Sequence, residues 1–157
     1  MKIAIGADHA GFVTKAELIK NLKSWQHEIT DVGTFTLEAT DYPLFALKVG
    51  EAVASNKVER GILICGNGIG MSIVANKIPG IRAALVLNEK IAVQTREHND
   101  SNILVLAGRE IEVAENIKIT QIWLTTQFSF AERHVRRIKL INRIEKHITD
   151  HDDNIFD

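Results

Sequence analysis

A single cysteine in 157 residues rules out an internal disulfide and suits a reducing compartment. Charge of one sign is also missing. The formal net charge is −1, so nothing global draws the chain to nucleic acid or to a membrane surface. Any recognition of an anion must therefore be local. No apolar run is long enough to span a bilayer, and the start, Met1-Lys2-Ile3-Ala4-Ile5-Gly6, is too short for a signal peptide. A cytoplasmic protein is expected. Repeats and low-complexity stretches are absent. So is the spacing of a metal site, because one cysteine and scattered histidines supply no usual ligand set. His147 and His151 are four apart, but they lie near the acidic end and are expected to be solvated.

What remains is an ordinary globular composition, 45% hydrophobic and 25% charged, in a chain long enough for one substantial core. One domain over residues 1–148 is expected, with an acidic tail over 149–157 that frays. Short apolar runs predict strands at Ile3–Gly6, Glu28–Val32, Gly61–Cys65, Arg82–Val86 and Ile103–Ala107. Amphipathic stretches between and after them predict helices near Val13–Ser24, Pro43–Ser55, Met71–Lys77, Ile91–His98, Val113–Thr125 and Glu132–His147. In the first helix Ala16, Ile19, Leu22 and Lys23 mark the stripe expected to face the core. Pro43 suits a first helical turn. Five strands alternating with helices predict an α/β fold, a parallel sheet covered on both faces. Ligands of such sheets bind outside the carboxyl ends of the strands.

The most informative segment is Gly61-Ile62-Leu63-Ile64-Cys65-Gly66-Asn67-Gly68-Ile69-Gly70-Met71-Ser72. A strand delivers the one thiol into a glycine-rich loop, and a helix follows. Glycines bring N–H groups close to a ligand, and a helix start adds partial positive charge. The loop is neither a dinucleotide fingerprint nor a phosphate-binding loop closed by Lys-Ser/Thr. It can be a plain tight turn, or a cradle over Gly66, Asn67, Gly68, Ile69 and Gly70 for an oxyanion or enediolate. Cys65 can be a small buried hydrophobe, a nucleophile or a general base.

Other candidates converge by topology. Asp8 and His9 follow the first strand. Asp8 can cap a helix or hold sugar hydroxyls, and His9 can bind phosphate or shuttle a proton. Tyr42 follows the second strand, and Arg109 follows the fifth. His98 and Asn99 fall instead at the amino end of the fifth strand. In one chain they should point away from Cys65, and only a second subunit would bring them to it. His98 can equally be a dipole-favoured histidine at a helix end. Arg133 and Arg137 lie one turn apart on the last helix. Cations in a first turn oppose the helix dipole, so an anionic ligand would compensate them. His134 lies on another part of that helical wheel.

These residues resemble those of the type B ribose-5-phosphate isomerases, in the wider group that includes the galactose-6-phosphate isomerase subunits. The likeness runs from Met1 to about Ile148. It rests on Gly6-Ala7-Asp8-His9-Ala10-Gly11, Thr40-Asp41-Tyr42-Pro43, Gly61 through Gly70, Ala75-Asn76-Lys77, Gly80-Ile81-Arg82-Ala83, His98-Asn99-Asp100 and Arg133-His134. The resemblance implies a Rossmann-like domain and a homodimer or dimer of dimers with sites between subunits. It implies interconversion of ribose 5-phosphate and ribulose 5-phosphate, without metal or cofactor. It implies Cys65 as the base and Gly66 to Gly70 as the enediolate hole. His98 and Asp8 would assist ring opening. Phosphate would be held by His9, Arg133 and Arg137, with Arg109, while Asn99 and Tyr42 line the pocket. A branch with glutamate at the position of Met71 is set aside by Cys65. Position 67 departs from the family, which has Thr or Ser there. Galactose-6-phosphate subunits lack either the histidine matching His98 or the cysteine, and this chain has both. An isomerase of a six-carbon sugar phosphate, such as allose 6-phosphate, is the alternative, with a non-catalytic phosphosugar-binding module behind it.

Overall fold

A computed structural model describes residues 1–150; most of the expected acidic tail, with His151, lies outside the described residues. Five strands form one parallel sheet: β1 (Lys2–Ala7), β2 (Glu28–Asp31), β3 (Arg60–Cys65), β4 (Ala83–Leu85) and β5 (Ile103–Ala107), in the order β2-β1-β3-β5-β4. Six helices accompany it: α1 (Phe12–Ser24), α2 (Tyr42–Ala54), α3 (Ile69–Ala75), α4 (Glu89–Asn99), α5 (Val113–Thr125) and α6 (Glu132–Asp150). The Rossmann-like α/β architecture expected from the sequence is the one found.

Alternation along each strand divides the core into two layers. Ile3, Ile5, Ile62, Ile64, Leu104 and Leu106 face α1, α4 and α5, where Leu18, Leu22, Ala92, Ile119 and Trp123 close the layer. Ala4, Leu63, Cys65, Ile103 and Val105 face α2 and α3, against Ala46, Val49, Met71 and Ala75. Every residue of β5 is buried, as a central strand covered on both faces must be.

Element ends shift by up to three residues from expectation, and two differences bear on the site. The buried face of α1 runs through Lys15, Leu18 and Leu22, while Lys23 is exposed and Ile19 only partly covered. The lysine belongs to the core because its ammonium has partners. Lys15 Nζ donates to both oxygens of Asp31, at 2.6 and 2.8 Å, and to the Thr34 carbonyl at 2.7 Å. This knot ties α1 to the segment leaving β2. The second difference is in α3, which starts at Ile69 rather than Met71.

The knot has a testable asymmetry. Asp31→Ala leaves a buried ammonium short of its counterion and is expected to lower stability by about 3 kcal/mol in urea denaturation. Lys15→Met strands only a partly exposed carboxylate and should cost less. The double variant should recover much of the Asp31→Ala loss.

Candidate active site

Three chain segments meet around the carboxyl end of β3. The Ile64 carbonyl accepts from the Asp8 N–H at 3.2 Å, that of Cys65 from Gly108 at 2.8 Å, and that of Gly66 from Arg109 at 2.9 Å. The ladder thus continues beyond the strands on both sides. Cys65 is 4% exposed, on the α2/α3 side of the sheet and in the same apolar cluster as fully buried Met71.

The loop after Cys65 is shorter than the glycine pattern suggests. Gly68 turns the chain at φ +79°, and α3 begins at once, so Ile69 and Gly70 belong to its first turn. The N–H groups of a first turn have no carbonyl one turn back. Asn67 satisfies one of them, its Oδ1 accepting from Ile69 N–H at 3.1 Å. This bond orients the Asn67 amide, because an N–H can face only the carbonyl end. The departure at position 67 therefore makes an Asx turn just before Gly68, the N-cap residue of α3, and turns its NH₂ end outward from that bond.

Asp8 and His9 flank this loop from β1. Asp8 is 6% exposed, and its Oδ1 accepts from the N–H groups of Ala10 and Gly11, at 2.9 and 3.1 Å. The capping role thus holds for one oxygen, in a short 3₁₀ turn over His9–Gly11 that the hydrophobic pattern does not mark. His9 Nδ1 accepts from Thr40 N–H at 3.3 Å, so its ring proton sits on Nε2. Tyr42 opens α2 and lies over Gly70, where a Cβ would come within 2.5 Å of its ring. The stem of Arg109 and the methyl of Ala10 flank Gly66.

His98, Asn99, Arg133 and Arg137 are not in this group. His98 and Asn99 end α4, which leads into the amino end of β5. Cys65 pairs with Ala107 at the other end, four steps from the Ile103–Gly61 pair and roughly 13 Å along the strand. The expected phosphate set is therefore divided: His9 and Arg109 stand at the thiol end, Arg133 and Arg137 beside α4. The end of α4 is firmly held. Asp100, at φ +46°, caps it and accepts from Arg82 Nη2 at 3.0 Å and from Arg96 Nη1 at 2.8 Å. Arg96 is 4% exposed and also donates to the Ser101 carbonyl at 2.6 Å. Arg60 lies close by, and burial together with the Arg96 charge lowers its affinity for its proton.

Sequence reasoning undervalued His134. It is 3% exposed, and its ring lies 4.4 Å from that of His98. Nδ1 is 2.7 Å from Ser129 Oγ, and Nε2 accepts from Arg133 Nε at 3.2 Å. Burial first, then the charges of Arg133, His98 and Arg137, push its pKa below the usual imidazole value, against a smaller pull from the Glu97 carbonyl. The signal available in sequence was Ser129, five residues before His134 and just ahead of the helix. Among the described residues no three of His, Cys, Asp or Glu gather to hold a metal ion, and no helix is long and apolar enough to cross a membrane.

Fold and site define a class: a doubly wound α/β protein with a lone thiol under a glycine-rich helix start at its strand ends. A family model described as Ribose/Galactose Isomerase matches residues 3–141, and the chain belongs to that family. It is 42% identical over 145 residues to ribose-5-phosphate isomerase B of Escherichia coli, covering 92% of this chain and 97% of that one. Ribose-5-phosphate isomerase B of Clostridium thermocellum has a similar structure, with a TM-score of 0.92 at 47% identity over 95% of this chain and 100% of that one. The Mycoplasma genitalium enzyme with bound ribulose-5-phosphate gives 0.89 at 41% identity, over 92% and 98% of the two chains.

Gly68 tests the cradle. In Gly68→Ala a Cβ would sit 2.4 Å from Leu85 Cδ1 at a left-handed φ. The backbone alone is expected to cost about 1–2 kcal/mol in urea denaturation, with the clash in addition.

Proposed function

We propose that this chain interconverts ribose 5-phosphate and ribulose 5-phosphate through an enediolate, with Cys65 as the base. The observation that carries this is the Cys65 thiol at the end of β3, just ahead of the first turn of α3, with the Asp8 N–H bonded to the adjoining Ile64 carbonyl. The ribulose-5-phosphate complex of the Mycoplasma genitalium relative supports the substrate. In the proposed step the Cys65 thiolate takes the proton from C2 of the open aldose. The electron pair moves into the C1–C2 bond, and charge collects on O1. Loop N–H groups and the Asn67 amide stabilise that charge. Return of the proton to C1, with transfer of the hydroxyl proton from O2 to O1, completes the ketose. Asp8 Oδ2 and His98 assist ring opening. His9, Arg109, Arg133 and Arg137 hold the phosphate, which fixes C1 and C2 at the sulfur. Tyr42 and Asn99 line the pocket.

The split of these residues between the two ends of β5 argues for a site shared by two copies, in a homodimer or dimer of dimers. Uncovered apolar side chains support a second copy. Ile141, Ile144 and Ile148 recur at helical spacing on α6 and are 40–68% exposed. They line a groove beside Asn99 with Ile81 and Ala83. Ile69 and Ile73 on α3 and Leu44 and Leu47 on α2 are uncovered too. The expected setting is the cytoplasm, which keeps a single thiol reduced. Asn67 in the cradle makes six-carbon substrates worth a direct comparison of kcat/KM on ribose and allose phosphates.

Cys65→Ala should keep the fold and lose about 10²–10⁴ in kcat, with deuterium exchange at C2 lost in parallel. Near-normal turnover would overturn the base assignment. Arg137→Ala should mainly raise KM. Mixing Cys65→Ala with His98→Ala subunits after unfolding should restore about a quarter of wild-type activity, the statistical yield for sites shared across a two-fold dimer. No recovery would place both residues in one chain's site.

A further inference from the structure

His134 lies outside the residues that touch substrate in the proposed reaction, yet it contacts two that do. Its Nε2 faces an arginine N–H, which can only donate, so Nε2 is unprotonated. The ring proton then sits on Nδ1 and is donated to Ser129 Oγ at 2.7 Å. The ring is neutral. It fixes Arg133 by Nε alone, leaving the Nη groups of that exposed side chain to point at a ligand. Its face meets His98 at 4.4 Å with a tilt of 39°. The charged groups around it are Arg133 and Arg137 on α6; His98 on α4 is its titratable neighbour, and the Glu97 carbonyl is the acceptor that faces it. A cationic ring here would break the Arg133 bond and add a third positive charge.

We propose that His134, held as the neutral Nδ1–H tautomer by Ser129, is a positioning residue that aims Arg133 at the substrate phosphate and supports the ring of His98. The proposal rests on the function assigned above to Arg133 and His98. It adds a division of labour: one imidazole sets phosphate affinity through Nε2 and ring opening through its face.

The wild-type protein tests the tautomer directly. In long-range nitrogen–proton correlation spectra at neutral pH, His134 is expected with Nδ1 protonated and Nε2 bare. An Nε2–H tautomer or a cationic ring overturns the proposal. Two variants of similar size test the consequence. Gln places an amide where Nε2 sits, whereas Asn reaches only the Nδ1 position. His134→Asn should raise KM for ribose 5-phosphate about tenfold, and His134→Gln should leave it near wild type. Both lose the ring face and should lower kcat alike. Equal KM in the two variants overturns the aiming of Arg133, since loss of packing alone would not distinguish them. Arg133→Ala, assayed alongside for KM and for inhibition by inorganic phosphate, separates the failures. If it changes neither, the phosphate reading falls and this proposal with it. If it raises both while His134→Asn raises neither, the positioning role alone is lost.

Discussion

The site depends on three consecutive carbonyls of β3 and the segment after it. Ile64, Cys65 and Gly66 accept N–H groups from Asp8, Gly108 and Arg109. Buried carbonyls must find partners, and these find them outside the regular strands. The consequence is geometric. The turn after β1 and the turn after β5 are fixed to the thiol-bearing strand by main-chain bonds, so Asp8 and Arg109 are held at this end of the sheet without any contact between their side chains. A site assembled this way tolerates side-chain change, because its frame is backbone.

The other end of the sheet is built differently. There the chain relies on charge: Arg82 and Arg96 share Asp100, and Arg96 is almost wholly buried. Such pairs give little net stability, but losing one partner is costly, so they specify one geometry. What they specify is the end of α4, where His98 and Asn99 sit. The Lys15–Asp31 knot does the same for the segment leaving β2. That segment runs on to Thr40, whose N–H holds His9. Ion pairs therefore brace the loops, and hydrophobic layers hold the sheet.

Much of this was legible in the chain. Strands buried on both faces must be apolar throughout, so β3 and β5 could be read directly, and the glycine pattern after Cys65 marked the chain's turn into α3. Placing His98 away from Cys65 needed only the order of strands and helices. Other features depend on contacts that a pattern does not encode. Lys15 enters the core because Asp31 and Thr34 meet it, sixteen and nineteen residues away. A hydrophobic stripe cannot include it, so the stripe of Ala16, Ile19, Leu22 and Lys23 lies one step around the axis from the buried face. Three glycines hide the start of α3 in the pattern, and the φ of Gly68 and the Asn67 turn locate it.

His134 shows why the helical wheel fails at a helix start. The wheel turns it away from Arg133, the adjacent residue, while Arg137, three residues on, lies nearer its face. A first turn, however, is open to the chain that precedes it, and Ser129 arrives from that side. Arg133 then folds back along its own helix until Nε meets the ring of the next residue. Burial there follows from the connection between α5 and α6 and from α4 beneath it, not from the periodicity of α6. The exposed arginines of this helix, Arg133, Arg136, Arg137 and Arg143, are therefore not equivalent. Among the described residues, Arg133 is the one whose Nε is held by a buried imidazole. An exposed guanidinium with several rotatable bonds loses entropy when it grips an anion. One already held by Nε loses less, and its remaining donors keep the planar fork that phosphate accepts. The asymmetry among the arginines thus traces to the protonation state of one imidazole, fixed by a serine five residues upstream.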